Sequence, residues 1–148
     1  MSENNEASAL HLLHRAGQVA DELFAAKVGS SEITPRQHLV LTAVAAGGEP
    51  SQTVLVEKTG IDRSTLADIV KRLVERGLLQ RRRTRRDARM YAVKLTEKGE
   101  GALKKSAPAA ASTDEGILAA IAEKDREAFL RALQAIVDAV ETQQLLAA

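Results

Sequence analysis

Cysteine and tryptophan are absent from this 148-residue sequence, and Phe24, Phe129 and Tyr91 are its only aromatic residues. Without cysteine there is no disulfide scaffold, zinc ribbon, thiol nucleophile or thiol redox switch. With so few aromatics, a β-sandwich or barrel lacks its usual packing material. No apolar run approaches the length of a membrane span, and the polar, acidic start MSENNEAS does not read as a secretory signal. Enzyme signatures are missing too: there is no Gly-rich phosphate loop, no H-E-x-x-H, no G-x-S-x-G and no carboxylate pair framed by a cleft signal. What remains abundant is Ala, Leu and Val, the residues of helix packing. The expectation is one domain of residues 1–148, soluble and cytoplasmic, mostly helical, and not an enzyme.

The net charge is only +1, but its distribution is uneven. Between Ser51 and Lys105 stand 15 basic and 7 acidic residues, a balance of +8, while the two flanks together carry −7. A basic middle between acidic ends provides one surface suited to a polyanion, although a solvated basic face can exist without a partner.

Hydrophobic spacing orders the chain. Leu10, Leu13, Ala16, Ala20, Leu23 and Phe24 predict a helix from Ala7 to Val28, ended by Gly29-Ser30-Ser31. Thr34, Pro35 and Gln37 form a capping-box pattern for a second helix carrying Leu39, Val40, Leu41 and Val44, stopped by Gly47-Gly48-Glu49-Pro50. Ser51 caps a short third helix to Lys58. Thr59-Gly60 turns the chain, and Asp62 caps a fourth helix running to about Arg76, with Leu66, Ile69, Val70 and Leu73 as its buried stripe. Two short helices joined by a tight Gly turn make a helix-turn-helix.

After Gly77 the period changes to two. Tyr91, Val93 and Leu95 alternate with Met90, Ala92 and Lys94, and Leu78 to Arg83 is the antiparallel partner. The connection Thr84-Arg85-Arg86-Asp87-Ala88-Arg89 is then a basic hairpin loop, or wing. Thr96 caps a fifth helix from Glu97, which Pro108 is expected to kink, and a sixth helix runs from about Glu123 to Leu145 with Phe129, Leu133, Ile136, Val137 and Val140 on one side. The fold class is mainly α with a small β-hairpin wing: a winged helix-turn-helix flanked by further helices.

On the fourth helix Arg63, Ser64, Thr65, Asp68, Lys71 and Arg72 lie off the apolar stripe. Arg63, Ser64 and Thr65 are candidates for base edges or nearby phosphates in the major groove, helped by the free N–H groups of the helix start. Lys71 and Arg72 suit phosphate. Asp68 either accepts from a cytosine amino group or orients a neighbouring Arg, and direct carboxylate readout is the rarer use. Solubility of the helix is the bland alternative for Arg63 and Lys71. Arg83, Arg85, Arg86 and Arg89 extend the basic surface along the hairpin. Arginine in such a loop suits a narrow minor groove, and alternation sends Arg82 to the face opposite Arg81 and Arg83.

Five fragments in this order resemble the MarR-type winged-helix regulators: Ile33 to Leu41, Ile61 to Leu66, Leu73 to Leu78, Asp87-Ala88-Arg89, and Leu95 to Gly99. The resemblance spans about Leu10 to Val140. It implies a DNA-binding lobe over 34–95 and dimerisation helices over 7–29 and 97–146. It further implies a homodimeric repressor of a pseudo-palindromic operator, with double-stranded DNA and a second copy as partners. By the same resemblance Arg89 is the wing-tip residue entering the minor groove, braced by Asp87. It also implies a pocket for a small organic effector, for which His11, Arg15, Arg36 and His38 are the polar groups near the expected junction; these can equally be ordinary surface side chains. No cofactor and no metal site is expected, since His11, His14 and His38 lack a completing set. The competing reading is a winged-helix module for protein contacts, or for non-specific DNA binding without ligand control.

Overall fold

The computed structural model describes residues 8–29, 33–83 and 91–147, with side chains described as far as residue 139. Among the described residues six α-helices and one hairpin run in the order α1 (Ala9–Val28), α2 (Pro35–Ala45), α3 (Gln52–Thr59), α4 (Arg63–Glu75), β1 (Leu79–Arg83), β2 (Tyr91–Leu95), α5 (Glu97–Ala119) and α6 (Arg126–Ala147), with a 3-10 turn at Glu123–Asp125 before α6. The expected helix start at Ala7, the loop Thr84 to Met90, and the side chains of Val140 and Leu145 lie outside the described residues. Read from sequence as one domain, the chain divides by internal packing into two units, Met1–Thr113 and Asp114–Ala148.

Local chemistry sets the helix starts in the first unit. Thr34 Oγ1 accepts from Gln37 N–H at 3.1 Å while Gln37 Oε1 accepts from Thr34 N–H at 3.1 Å, the reciprocal capping box that the sequence predicts. Ser51 Oγ accepts from Val54 N–H at 3.2 Å at the start of α3. Gly60 ends α3 at φ 70°, a left-handed conformation that a Cβ would penalise, and this turn sets α4 against α3.

The core lies between these helices and the hairpin. Val40, Leu41, Leu55, Leu66, Val70, Leu73, Leu78, Leu79 and Val93 are buried in one cluster, joined by Phe24 from α1 and Ala109 from α5. Leu79 pairs with Leu95 and Arg83 with Tyr91, so the apolar end of the hairpin enters the core and its basic end leaves it. Gly99 permits close approach of α5 to the chain leaving α4: a Cβ there would collide with the Leu78 carbonyl. Thr96 Oγ1 accepts from Gly99 N–H at 3.0 Å, the expected cap of α5.

Three details depart from simple periodicity. Leu39 remains 42 % exposed on α2, because its neighbours Val40 and Leu41 take the buried side. On β2 the alternation breaks: Tyr91 is 45 % exposed, whereas the adjacent Ala92 and Val93 are both buried. The cause is a second backbone partner on the outer edge of β2. Ser51 bridges Ala92, and Val93 N–H donates to the Pro50 carbonyl at 2.9 Å, so the chain entering α3 covers a strand edge otherwise open. Finally, α5 continues through Pro108, carried by the strong helix formers Ala109, Ala110 and Ala111.

In the second unit α6 is entered through the Arg126 side chain, whose Nε donates to the carbonyls of Leu118 at 2.9 Å and Ile121 at 3.1 Å. Phe129 and Leu133 are half-buried, while Leu130, Ile136 and Val137 are exposed. Among the described residues no helix is long and apolar enough to cross a membrane.

Candidate nucleic-acid interface

The start of α4 is built around Asp62. One carboxylate oxygen accepts from Thr65 N–H at 3.1 Å and from Ser64 Oγ–H at 2.9 Å. Hydrogen bonding from Thr65, then from Ser64, holds the carboxyl down to about 2, so it is ionised at any working pH. This has a consequence for readout. The Ser64 hydroxyl proton is committed to Asp62, so its oxygen faces outward as an acceptor. A phosphate, which offers only acceptors, is a poor match; an exocyclic amino group of cytosine or adenine is a good one. Thr65 has given its N–H to the cap and is half-buried, leaving Arg63 as the exposed donor at this end.

Farther along, Asp68 Oδ2 lies 3.1 Å from Arg72 Nε, with both side chains mostly exposed. Of the two readings of Asp68, orientation of a neighbouring arginine is the one with a partner at hand. Lys71 is exposed beside them, and the opposite face of α4 buries Leu66, Ile69, Val70 and Leu73. The helix thus has one apolar face and one face of cations and small polar groups.

The hairpin extends this charge. Arg81, Arg82 and Arg83 are all exposed on β1. Arg83 pairs across the strands with Tyr91, and its Cζ stands 5.9 Å from the ring centroid. That contact favours a guanidinium spread over the ring and was not legible from alternation, which put Tyr91 on one face with Val93 and Leu95. Arg85, Arg86, Asp87 and Arg89 lie outside the described residues.

The four polar groups expected near an effector site are not gathered together. His11 and Arg15 are exposed on α1, and Arg36 is exposed in the first turn of α2. His38 alone enters a network, with Nδ1 2.8 Å from Ser106 Oγ on α5, Nε2 3.4 Å from Thr42 Oγ1, and its ring tilted 5.9 Å from that of Phe24 on α1. Ser106 is fully buried and its hydroxyl donates to the Ala102 carbonyl at 3.0 Å or to that of Leu103 at 3.2 Å. With the Ser106 proton on a helix carbonyl, Nδ1–H of a neutral ring donates to Ser106; Thr42 Oγ1–H is given to the His38 carbonyl at 2.8 Å rather than to Nε2. Burial lowers the His38 pKa and favours that neutral form. Sequence reasoning missed Ser106 and Thr42, because neither residue type shows from sequence alone whether its hydroxyl enters a packed joint. Phe24 also lines a cleft of about 390 Å³ with Asp21, Val28, Ile33, Thr34 and Pro35. Among the described residues no three His, Cys, Asp or Glu side chains form a metal-binding group.

A helix-turn-helix with a polar, cationic second helix, followed by a basic two-stranded hairpin, defines the winged helix-turn-helix class of DNA-binding proteins. The chain belongs to the MarR family of transcriptional regulators: the MarR family model matches residues 31–90, and the HTH-type transcriptional repressor NicR of Pseudomonas putida is 31% identical over 131 residues, covering 88% of this chain and 83% of that protein. Among solved structures, the PcaV transcriptional regulator of Streptomyces coelicolor in complex with its natural ligand superposes with a TM-score of 0.85 at 29% identity, covering 95% of this chain and 99% of PcaV. Bordetella bronchiseptica BpsR, whose DNA binding is regulated by 6-hydroxynicotinic acid, gives 0.81 at 26% identity, covering 93% and 99%. The protein is therefore a transcriptional regulator and not an enzyme.

Proposed function

We propose that this regulator is a homodimeric repressor of a pseudo-palindromic operator, released from DNA by a small organic acid. The observation that carries the reading is the two-faced α4: Arg63, Ser64, Lys71 and Arg72 stand out from the protein while Leu66, Val70 and Leu73 anchor the helix below. In this reading α4 enters the major groove. Arg63 and Ser64 meet base edges, Thr65 lies beside them, and Lys71 and Arg72 meet phosphate, with Asp68 orienting Arg72. The wing, with Arg83, Arg85, Arg86 and Arg89, follows the adjacent minor groove, and Asp87 braces it.

One lobe, 34–95, reads one half-site, so specificity requires a second copy about one helical turn away. The exposed leucines of α1, with Leu10 68 % exposed, and the exposed Leu130, Ile136 and Val137 of α6 are the apolar surfaces that pairing through 7–29 and 97–146 would cover. The similarity to PcaV and BpsR supports an effector, and the cleft beside Phe24, whose ring neighbours His38, is the place we give it; His11, Arg15 and Arg36, exposed on α1 and α2, do not line it. The apolar walls of that cleft suit an aromatic body. It acts by favouring a dimer whose recognition helices are wrongly spaced for the operator.

The test is binding to the DNA flanking the protein's own gene, against scrambled DNA, across a salt series. Sequence-dependent binding with a steep salt slope and two protomers per site is expected. A slope without sequence preference would reduce the protein to a non-specific duplex binder, and absence of binding at low salt would favour a protein-contact module.

A further inference from the structure

At the C-terminal end of α4 a second cleft of about 360 Å³, this one cationic, is lined by Arg76, Leu78, Lys98, Gly101, Ala102 and Lys105. Its floor is apolar, with Leu78 buried, and its three charged lining residues are all cations. The 13 residues of α4 put this cleft about 20 Å along the helix axis from Arg63, at ~1.5 Å per residue. It therefore lies away from the bases that Arg63 would read; of its cations only Arg76, one turn beyond Arg72, continues the surface assigned to phosphate, whereas Lys98 and Lys105 stand on α5.

The cleft also borders the joint between the end of α4 and α5. Lys98 Nζ donates to the Arg76 carbonyl at 3.0 Å, Thr96 Oγ1–H donates to the Gly77 carbonyl at 2.6 Å, and Thr96 N–H donates to the Leu78 carbonyl at 3.2 Å. Lys98 thus completes the helix C-terminus with one of its three protons and keeps two for another acceptor. Lys105 is exposed two turns farther along the same helix.

We propose that this cleft is a binding site for a small organic carboxylate, distinct from the cleft beside Phe24. The carboxylate lies between Lys98 and Lys105 with the Arg76 guanidinium at the rim, and the organic body rests on Leu78, Gly101 and Ala102. The missing side chain at Gly101 leaves room for that body, since nothing lies within 4 Å of where its Cβ would stand. Charge-assisted hydrogen bonds hold the anion, and the apolar floor selects a carboxylate with a flat apolar body over an inorganic anion. An occupant gripping Lys98 acts directly on the joint that sets α5 against α4.

The experiment is a benzoate titration of the intact, nitrogen-15-labelled protein followed by amide chemical shifts, repeated with inorganic phosphate, and requires no DNA. Saturable shifts centred on Leu78, Gly101 and Ala102 are expected, with phosphate binding more weakly at the same amides. Lys105→Glu should weaken benzoate at these amides by about tenfold or more, while Arg15→Ala leaves it unchanged there. Lys105→Gln, which adds no repulsive charge, should give an intermediate loss. Shifts that do not saturate, that are confined to α1 and α2, or that survive Lys105→Glu would overturn the site. Phosphate binding as tightly as benzoate would mean a counter-ion site and would overturn the organic-acid assignment.

Discussion

His38 Nδ1 and Ser106 Oγ, 68 residues apart in sequence, stand 2.8 Å apart and tie α2 to α5. A neutral ring satisfies this contact with either tautomer, since the Ser106 hydroxyl can donate to Nδ1 or accept from it, and burial disfavours a second proton on the ring. The folded protein thus binds a proton at His38 less readily than the unfolded chain, whose value is 6.5. Stability from this group is fully present above 6.5 and declines as pH falls from there towards the lowered folded value. Melting temperatures measured between pH 8 and pH 5 should fall on the acid side, and His38→Gln should remove part of that fall. An identical acid-side slope in the variant would show that His38 is not its source.

The Asp62 cap offers a second measurement. Asp62→Ala removes the acceptor for Thr65 N–H and should lower the midpoint of denaturant unfolding, with Asp62→Asn retaining most of the cap. The two variants should differ from wild type in DNA readout as well, since Ser64 regains a free proton when Asp62 is removed. A changed base preference at one operator position, larger for Asp62→Ala than for Asp62→Asn, is the expected result in a selection from randomised DNA.

Gly99→Ala tests the closeness of α5 to the end of α4. The new Cβ meets a backbone carbonyl, which cannot swing away as a side chain would. Destabilisation of about 1–3 kcal/mol is expected from overpacking. At Gly101, two residues on, the same substitution meets nothing within 4 Å and should be neutral or slightly stabilising through helix propensity. Calorimetry of the pair separates close approach from a general dislike of alanine in this helix.

For DNA binding, Lys71→Ala should weaken all sequences evenly and lower the slope of log affinity against log salt by about one unit. Arg89→Ala should cost about 1–3 kcal/mol and change the preference for A·T pairs if the wing reads groove shape. Fluorescence anisotropy on operator and scrambled duplexes distinguishes the two patterns. Unchanged affinity in both variants would remove the assigned placement of helix and wing.

Local chemistry was readable without coordinates. The Thr34–Gln37 capping box, the caps Ser51 and Asp62 and the turn at Gly60 depend on contacts within a few residues, while the stripe of α4 and the hairpin show in the period of their apolar residues, and spacing along the chain reports both directly. The cationic face of α4 was legible for the same reason: it is what remains after the apolar stripe is removed.

Tertiary structure decided whatever depends on groups distant in sequence. Alternation put Tyr91 on one face with Val93 and Leu95, but Pro50 and Ser51 pair with β2, Ala92 and Val93 are buried together, and Tyr91 is left exposed beside Arg83. His38 was visible as a polar group on α2; its partner Ser106 was not, because a serine gives no sign from sequence of whether its hydroxyl points to water or into a packed joint. Nor does sequence bring Arg76, Lys98 and Lys105 around one cleft, since that grouping depends on how α5 meets the end of α4. Periodicity records which face of an element is apolar; what that face, or the polar one, meets is settled only when long-range packing brings the elements together.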